Sequence, residues 1–246
     1  MKGGEEQIFN VFDIVSEVPH DHFFRKPSKQ ATSHNALAKH IDLMRAVIIG
    51  AAGTPYHDGL FFFDIKLPSD YPNRPPNVHF HSFGYRMNPN LYNNGMVCLS
   101  LLNTWYGNPG QRWNPRASTL LQVLVSIQAL VLNEQPYFNE PNAGSCETAF
   151  LQTWYIAITL VRRPPKNFEA FVIQHFRTRS VAVLDSCREH ANGRLWDGYY
   201  CRNGGGGGGD GDGGSSSLSS SNVKVSRFEE DNIVVRICKV PQKSLN

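Results

Sequence analysis

Six consecutive glycines, Gly204 to Gly209, set the outer limit of what this chain can fold compactly. A glycine run has no side chains to bury and loses the most backbone freedom on ordering. Asp210 to Asn222 continues it with Gly, Asp and Ser, so 193–222 reads as a flexible Gly/Ser-rich linker. The core must come from residues before about 200. Beyond the linker, Ile233, Val234, Val235, Ile237 and Val240 have the composition of one strand, and one strand makes no domain. The organisation expected is an N-terminal extension over 1–33, a core domain over 34–192, the linker, and a tail over 223–246.

Composition narrows the class. A hydrophobic fraction of 41% in 246 residues supports a packed core and excludes global disorder. Lys and Arg number 24 against 21 Asp and Glu, and a net charge of +3 gives no argument for nucleic acid. Five cysteines with no CxxC pair argue against a disulfide framework and a four-thiolate zinc site. The opening Met1-Lys2-Gly3-Gly4-Glu5-Glu6 is acidic where a signal peptide needs an apolar stretch. The most apolar window, Leu120 to Leu132, is interrupted by Gln122, Ser126 and Gln128, so no membrane span is expected. A protein of the cytoplasm or nucleus is the expectation.

Periodicity changes once along the core. Leu43 to Ile49 is an apolar run ending in β-branched residues; in Leu60 to Leu67, Phe61, Phe63, Ile65 and Leu67 share one face, with Asp64 and Lys66 on the other. Asn77 to Phe83 alternates again. Short turn-rich connections such as Gly53-Thr54-Pro55 favour an antiparallel meander. After residue 117 the pattern turns helical. Thr119 with Gln122 makes a capping box before Leu120 to Leu132, which is apolar nearly all round. Phe150, Trp154, Ala157, Ile158 and Val161 mark a second helix stopped by Pro164-Pro165, and Phe168, Phe171, Val172, His175 and Phe176 begin a third. Strands followed by helices predict an α+β fold, an antiparallel sheet with helices packed on one side.

Between sheet and helices, Gly84 to Arg116 has little regular pattern yet is rich in large apolar residues, as a functional connection would be. It contains Pro89-Asn90-x-Tyr92-x-x-Gly95-x-Val97-Cys98-Leu99, then Trp113-x-Pro115, and follows Tyr71-Pro72-x-x-Pro75-Pro76. Any one of these elements is weak alone. Their order, with Cys98 eight residues after Asn90 and Trp113 fifteen after Cys98, resembles a ubiquitin-conjugating enzyme (E2) core from about Asp42 to the 190s. Cys98-Leu99-Ser100-Leu101-Leu102, the longer loop Thr104 to Arg112 and Arg162-Arg163-Pro164-Pro165-Lys166 resemble the large E2 proteins that include the plant phosphate-homeostasis enzyme and hybrid E2/E3 enzymes.

The resemblance implies a UBC-like fold and a thioester relay. Cys98 takes the ubiquitin C-terminus from an activating enzyme (E1) and hands it to a lysine amine of a substrate, with or without an E3 ligase. ATP is consumed upstream by the activating enzyme, and neither a tightly bound cofactor nor a metal is expected. Asn90 is implied as the oxyanion-side or loop-bracing amide; removing such a donor costs about 3–4 kcal/mol in the transition state. Glu140, in Asn139-Glu140-Pro141, is implied as the acidic gate that helps the lysine lose its proton. Asn88, Pro89, Tyr92 and Trp113 are read as structural supports of the site; Asn73, Pro115 and Arg116 fall on the implied ligase-docking surface.

Departures from the family pattern are specific. Asn88 stands where the family has His; Asn73 replaces a ligase-facing aromatic; Pro115-Arg116 replaces Pro-Ala. Only Lys29 to Ile41 precedes the strand at Asp42-Leu43, so the opening helix and most of the first strand are missing or shortened, as in a truncated or alternatively spliced form. The leader Phe9 to Val15 is a candidate cover for the exposed sheet edge. Two rival readings follow: a non-catalytic E2-like module that binds ubiquitin or a partner, and a cysteine hydrolase using His79, His81 or His175 as base. His79 and His81 alternate onto one strand face and read as surface residues rather than a metal pair.

Overall fold

The computed structural model describes residues 12–15, 18–25, 42–136, 146–192 and 233–238. Five strands, β1 (Phe12–Val15), β2 (Leu43–Ile49), β3 (Leu60–Lys66), β4 (Asn77–Phe80) and β5 (Ile233–Cys238), form one sheet in the order β1-β5-β2-β3-β4. The expected meander is β2-β3-β4, antiparallel throughout, with Leu43 opposite Lys66 and Phe63 opposite Phe80. Among the described residues three α-helices follow, α1 (Leu120–Ser126), α2 (Cys146–Arg162) and α3 (Glu169–Ala191). This is the α+β arrangement that strands followed by helices require.

The expected tail differs from its reading. Residues 233–238 lie antiparallel to β2, Ile48 opposite Ile233 and Leu43 opposite Cys238, and β1 runs parallel on their far side. One strand makes no domain, but it can join a sheet already formed, and the edge of β2 offers the unpaired N–H and C=O groups that recruit one. The leader strand thus reaches the sheet through β5, not through β2. Residues 29–41, where a shortened helix is expected, lie outside the described residues.

Alternation along β3 divides the core. Phe61 and Phe63 face one side with Phe80, and Tyr56 meets the edge of Phe61 at 5.6 Å. Met87, Leu91, Val123, Leu124 and Ile127 join residues of both faces of β3 in one buried cluster. On the opposite side Phe62 packs edge-on against Phe168, at the start of α3, at 5.1 Å. Asp64, on the face opposite Phe61 and Phe63, is fully buried there beside Arg45, which is 1% exposed. Residues 18–25 cover them. The Arg45 guanidinium donates to Asp64 at 2.6 and 3.0 Å and to the Asp21 carboxylate at 3.0 and 3.1 Å. The Phe23 N–H donates to Asp64 at 2.8 Å, His81 Nε2 lies 2.9 Å from that carboxylate, and the Phe23 ring stacks on His79 at 3.4 Å. Burial by itself would raise the Asp64 pKa, but the contact with His81 and the hydrogen bonds from the Arg45 guanidinium hold the carboxyl far below its usual range.

The capping box forms as expected: Thr119 Oγ1 accepts from the Gln122 N–H at 3.2 Å, and Gln122 Oε1 accepts from the Thr119 N–H at 3.0 Å. The apolar run then departs from one continuous α-helix. After Ser126 it widens into a π-turn over Ile127–Val131, and Leu121 and Leu130 remain exposed. In α2 the buried stripe is Ala149, Thr153, Ile156 and Leu160, with Phe150 and Ala157, whereas Ile158 and Val161 are exposed. The apolar pattern misses this stripe because a polar residue sits in its middle. The Thr153 hydroxyl donates to Ala149 O at 2.8 Å, which lets it enter the core satisfied.

Candidate active site

The segment from Met87 to Thr104 is built on side-chain amides in place of a regular ladder. Asn88 is 3% exposed and uses both ends of its carboxamide. Its Oδ1 accepts the N–H groups of Asn90 and Leu91, each at 2.9 Å, closing the turn after Pro89. Its Nδ2 donates to Tyr56 Oη and to Val131 O, each at 2.9 Å. One buried residue therefore ties the loop to the Gly53–Tyr56 turn and to the π-turn after α1. Asn serves where the family pattern has His because the position asks for paired donors and acceptors, which a carboxamide supplies.

Asn90 and Cys98 hold each other. The Cys98 N–H donates to Asn90 O at 2.8 Å, and Asn90 Nδ2 donates to Cys98 O at 3.0 Å. The expected carboxamide thus faces the cysteine residue, engaged on its carbonyl. Between them the chain reverses at Gly95, whose φ of +84° and approach to the His79 ring, 2.1 Å from where a Cβ would stand, leave room for glycine alone. Tyr92 caps the turn with the Arg86 guanidinium 4.4 Å over its ring, a positioning contact.

Cys98 is 2% exposed, and its thiol points at Thr104 O, 3.5 Å away. Thr104 is a residue that pattern reading misses. Asn103, at φ 58°, turns the chain back so that Thr104 Oγ1 donates to Val97 O at 2.7 Å and accepts the Leu99 N–H at 2.9 Å. Threonine in a loop carries no motif, so no sequence signal distinguishes it. The loop beyond is exposed, with Tyr106 95% accessible, and is stiffened by a capping box between Asn108 and Gln111. A cleft of about 300 Å³ lies beside Val97 and Thr104, bounded by Phe23, Pro76 and His79.

Trp113 is buried, and its indole N–H donates to Pro72 O at 2.6 Å while the ring tilts against Tyr71. That bond ties Pro72 to Trp113, and Asn73, Pro115 and Arg116, the residues expected on a docking surface, are each exposed. Glu140 lies outside the described residues. The histidines weighed as bases are engaged in other contacts: His79 on Phe23, His81 on Asp64, and His175 Nε2 with Asp58 O at 2.8 Å. Burial depresses His79 to about 4, with repulsion from His81 adding to it, and burial also lowers His175. Among the described residues no helix is long and apolar enough to cross a membrane.

A meander, helices beyond it and a cysteine clamped to an Asn between the two define a UBC-like α+β domain. The family model described as ubiquitin-conjugating enzyme matches residues 16–153, and the chain belongs to that family. "Probable ubiquitin-conjugating enzyme E2 26" of Arabidopsis thaliana is 52% identical over 178 residues, covering 67% of this chain and 33% of that protein. "Probable ubiquitin-conjugating enzyme E2 25" of the same plant is 54% identical over 172 residues, 64% of this chain and 28% of that protein. The human "Dual E2 ubiquitin-conjugating enzyme/E3 ubiquitin-protein ligase BIRC6" is 40% identical over 169 residues, 61% of this chain and 3% of that protein. The chain spans about half the length of a further Arabidopsis relative, 53%, and less of these three.

Proposed function

We propose that this chain is an E2 enzyme that carries ubiquitin on Cys98. In the first step the Cys98 thiolate attacks the thioester carbonyl joining ubiquitin to the activating enzyme, and the activating enzyme's sulfur leaves. In the second, a lysine ε-amine attacks the Cys98 thioester; a C–N bond forms, the C–S bond breaks, and Cys98 departs as thiolate. ATP is spent by the activating enzyme, and this chain needs no cofactor. The reciprocal clamp between Asn90 and Cys98 carries the reading: it holds a carboxamide against the backbone of the residue whose acyl group would develop an oxyanion. Glu140 is the proposed acceptor of the lysine proton, and Asn73, Pro115 and Arg116 the proposed docking side for an E3 ligase. The likeness to a dual E2/E3 protein supports a hybrid mode, in which this surface needs no separate ligase.

The 2% exposure of Cys98 favours a second reading, a non-catalytic module that binds ubiquitin or another E2 through the same fold. In the enzymatic reading the turn at Asn103-Thr104 swings aside before charging. One assay separates the two. The full chain is incubated with activating enzyme, ATP and ubiquitin and run on non-reducing gels. The expected product is a one-ubiquitin adduct that dithiothreitol removes and Cys98→Ala lacks; no thiol-sensitive adduct means a binding module.

A further inference from the structure

The last strand among the described residues sits in the interior of the sheet. β5 lies between β1 and β2, and β1 reaches the sheet only by pairing with it. Residues 193–232, including the glycine run, separate it from the end of α3. Forty residues can span up to about 130 Å. Nothing in the helices therefore dictates where β5 must go; its place is chosen by β2. The edge of β2 offers a row of main-chain donors and acceptors along Leu43 to Ile48, a stretch buried on both faces once covered. Such an edge is a template for any extended segment of matching shape. The segment that fills it, Ile-Val-Val-Arg-Ile-Cys, is dominated by the β-branched residues that suit a half-buried pleat.

We propose that the edge of β2 is a binding site for extended, β-branched peptide strands, occupied in cis by this chain's own residues 233–238. The site takes its ligand by strand addition: main-chain hydrogen bonds supply affinity and alternate side chains supply selectivity. The tether raises the local concentration of the resident strand, so an external peptide competes against it and binds fully only when the resident strand is displaced. This inference is independent of the thioester reading, since it concerns main-chain pairing and not the chemistry of Cys98.

The antiparallel register makes it testable in the full chain. Leu43 pairs with Cys238, and paired residues in such a ladder have Cα atoms within disulfide range. Under mild oxidation Leu43→Cys is expected to form an intrachain disulfide with Cys238, seen as a faster-migrating monomer that Cys238→Ser abolishes. No such bond, or a covalent dimer in its place, overturns occupation in cis. The chain with Leu43→Cys and Cys238→Ser is then offered a labelled peptide of residues 231–240. Expected is a mixed disulfide above the background of the chain that keeps Leu43. The same peptide with Val234→Pro and Val235→Pro, which removes one strand donor toward each neighbour, is expected to be trapped about tenfold less. Equal trapping of the two peptides, or none of either, overturns the site.

Discussion

Two buried polar networks hold this domain, and they are built from opposite materials. Under residues 18–25 the partners are ionised: Arg45, Asp64 and Asp21, with His22 and His81 beside them. Around Cys98 they are neutral: the carboxamides of Asn88 and Asn90 and the hydroxyl of Thr104. Charges deep in the fold attract strongly, yet each has lost its hydration, so such a network is stable only while complete. Neutral amides interact more weakly and are indifferent to pH. The difference places residues 18–25 under electrostatic control, while the amide and hydroxyl contacts of the thiol loop carry no charge of their own.

That contrast can be broken from the charged side first. Arg45→Met should be the most damaging change, about 3–5 kcal/mol in urea unfolding, because it strands a buried carboxylate. Pairing it with Asp64→Leu should recover much of the loss, and failure to recover would show that the charges are not the coupled unit. On the neutral side, Asn88→Leu removes both donors and acceptors at a buried site and should cost about 2–3 kcal/mol while releasing the turn at Pro89-Asn90. Thr104→Val, which keeps the shape, should cost about 1–2 kcal/mol by orphaning the Leu99 N–H. It should also speed labelling of Cys98 by a thiol reagent, measured against Cys98→Ser to subtract the other cysteines.

The smallest effect expected is on pH dependence. His79 titrates near 4 in the fold, against 6.5 for an unperturbed histidine, so between those values the unfolded chain binds the proton more readily. Stability should therefore fall as pH drops from about 6.5 toward 4, and the paired Asp64 carboxylate adds a further loss at lower pH as it is forced to protonate. His79→Phe, which retains the stack on Phe23, should flatten the first part of that decline in thermal melts across pH.

Much of the domain was legible before its coordinates. The strands at Leu43, Leu60 and Asn77 and the helix start at Thr119 follow from alternation and capping, which depend on neighbours within a few residues. The Pro-Asn and Cys-Leu spacing marked the loop, and its residues do lie together. What reading in one dimension obscured was context. Asp64 alternates onto the face opposite Phe61 and Phe63, but its strand neighbours do not announce that residues 18–25 lie over it, and no apolar pattern reveals the buried Thr153.

Composition, turn residues and short-range periodicity by themselves determined the class of fold, the meander and the position of the cysteine loop between sheet and helices, since each arises from steric preferences of adjacent residues. Only the tertiary structure decided that the final strand lies against β2, that Arg45 and Asp64 are enclosed as a pair, and that Thr104 closes over the sulfur. Those outcomes join residues far apart along the chain or across a turn, where pairing depends on which unsatisfied edges and charges meet in space.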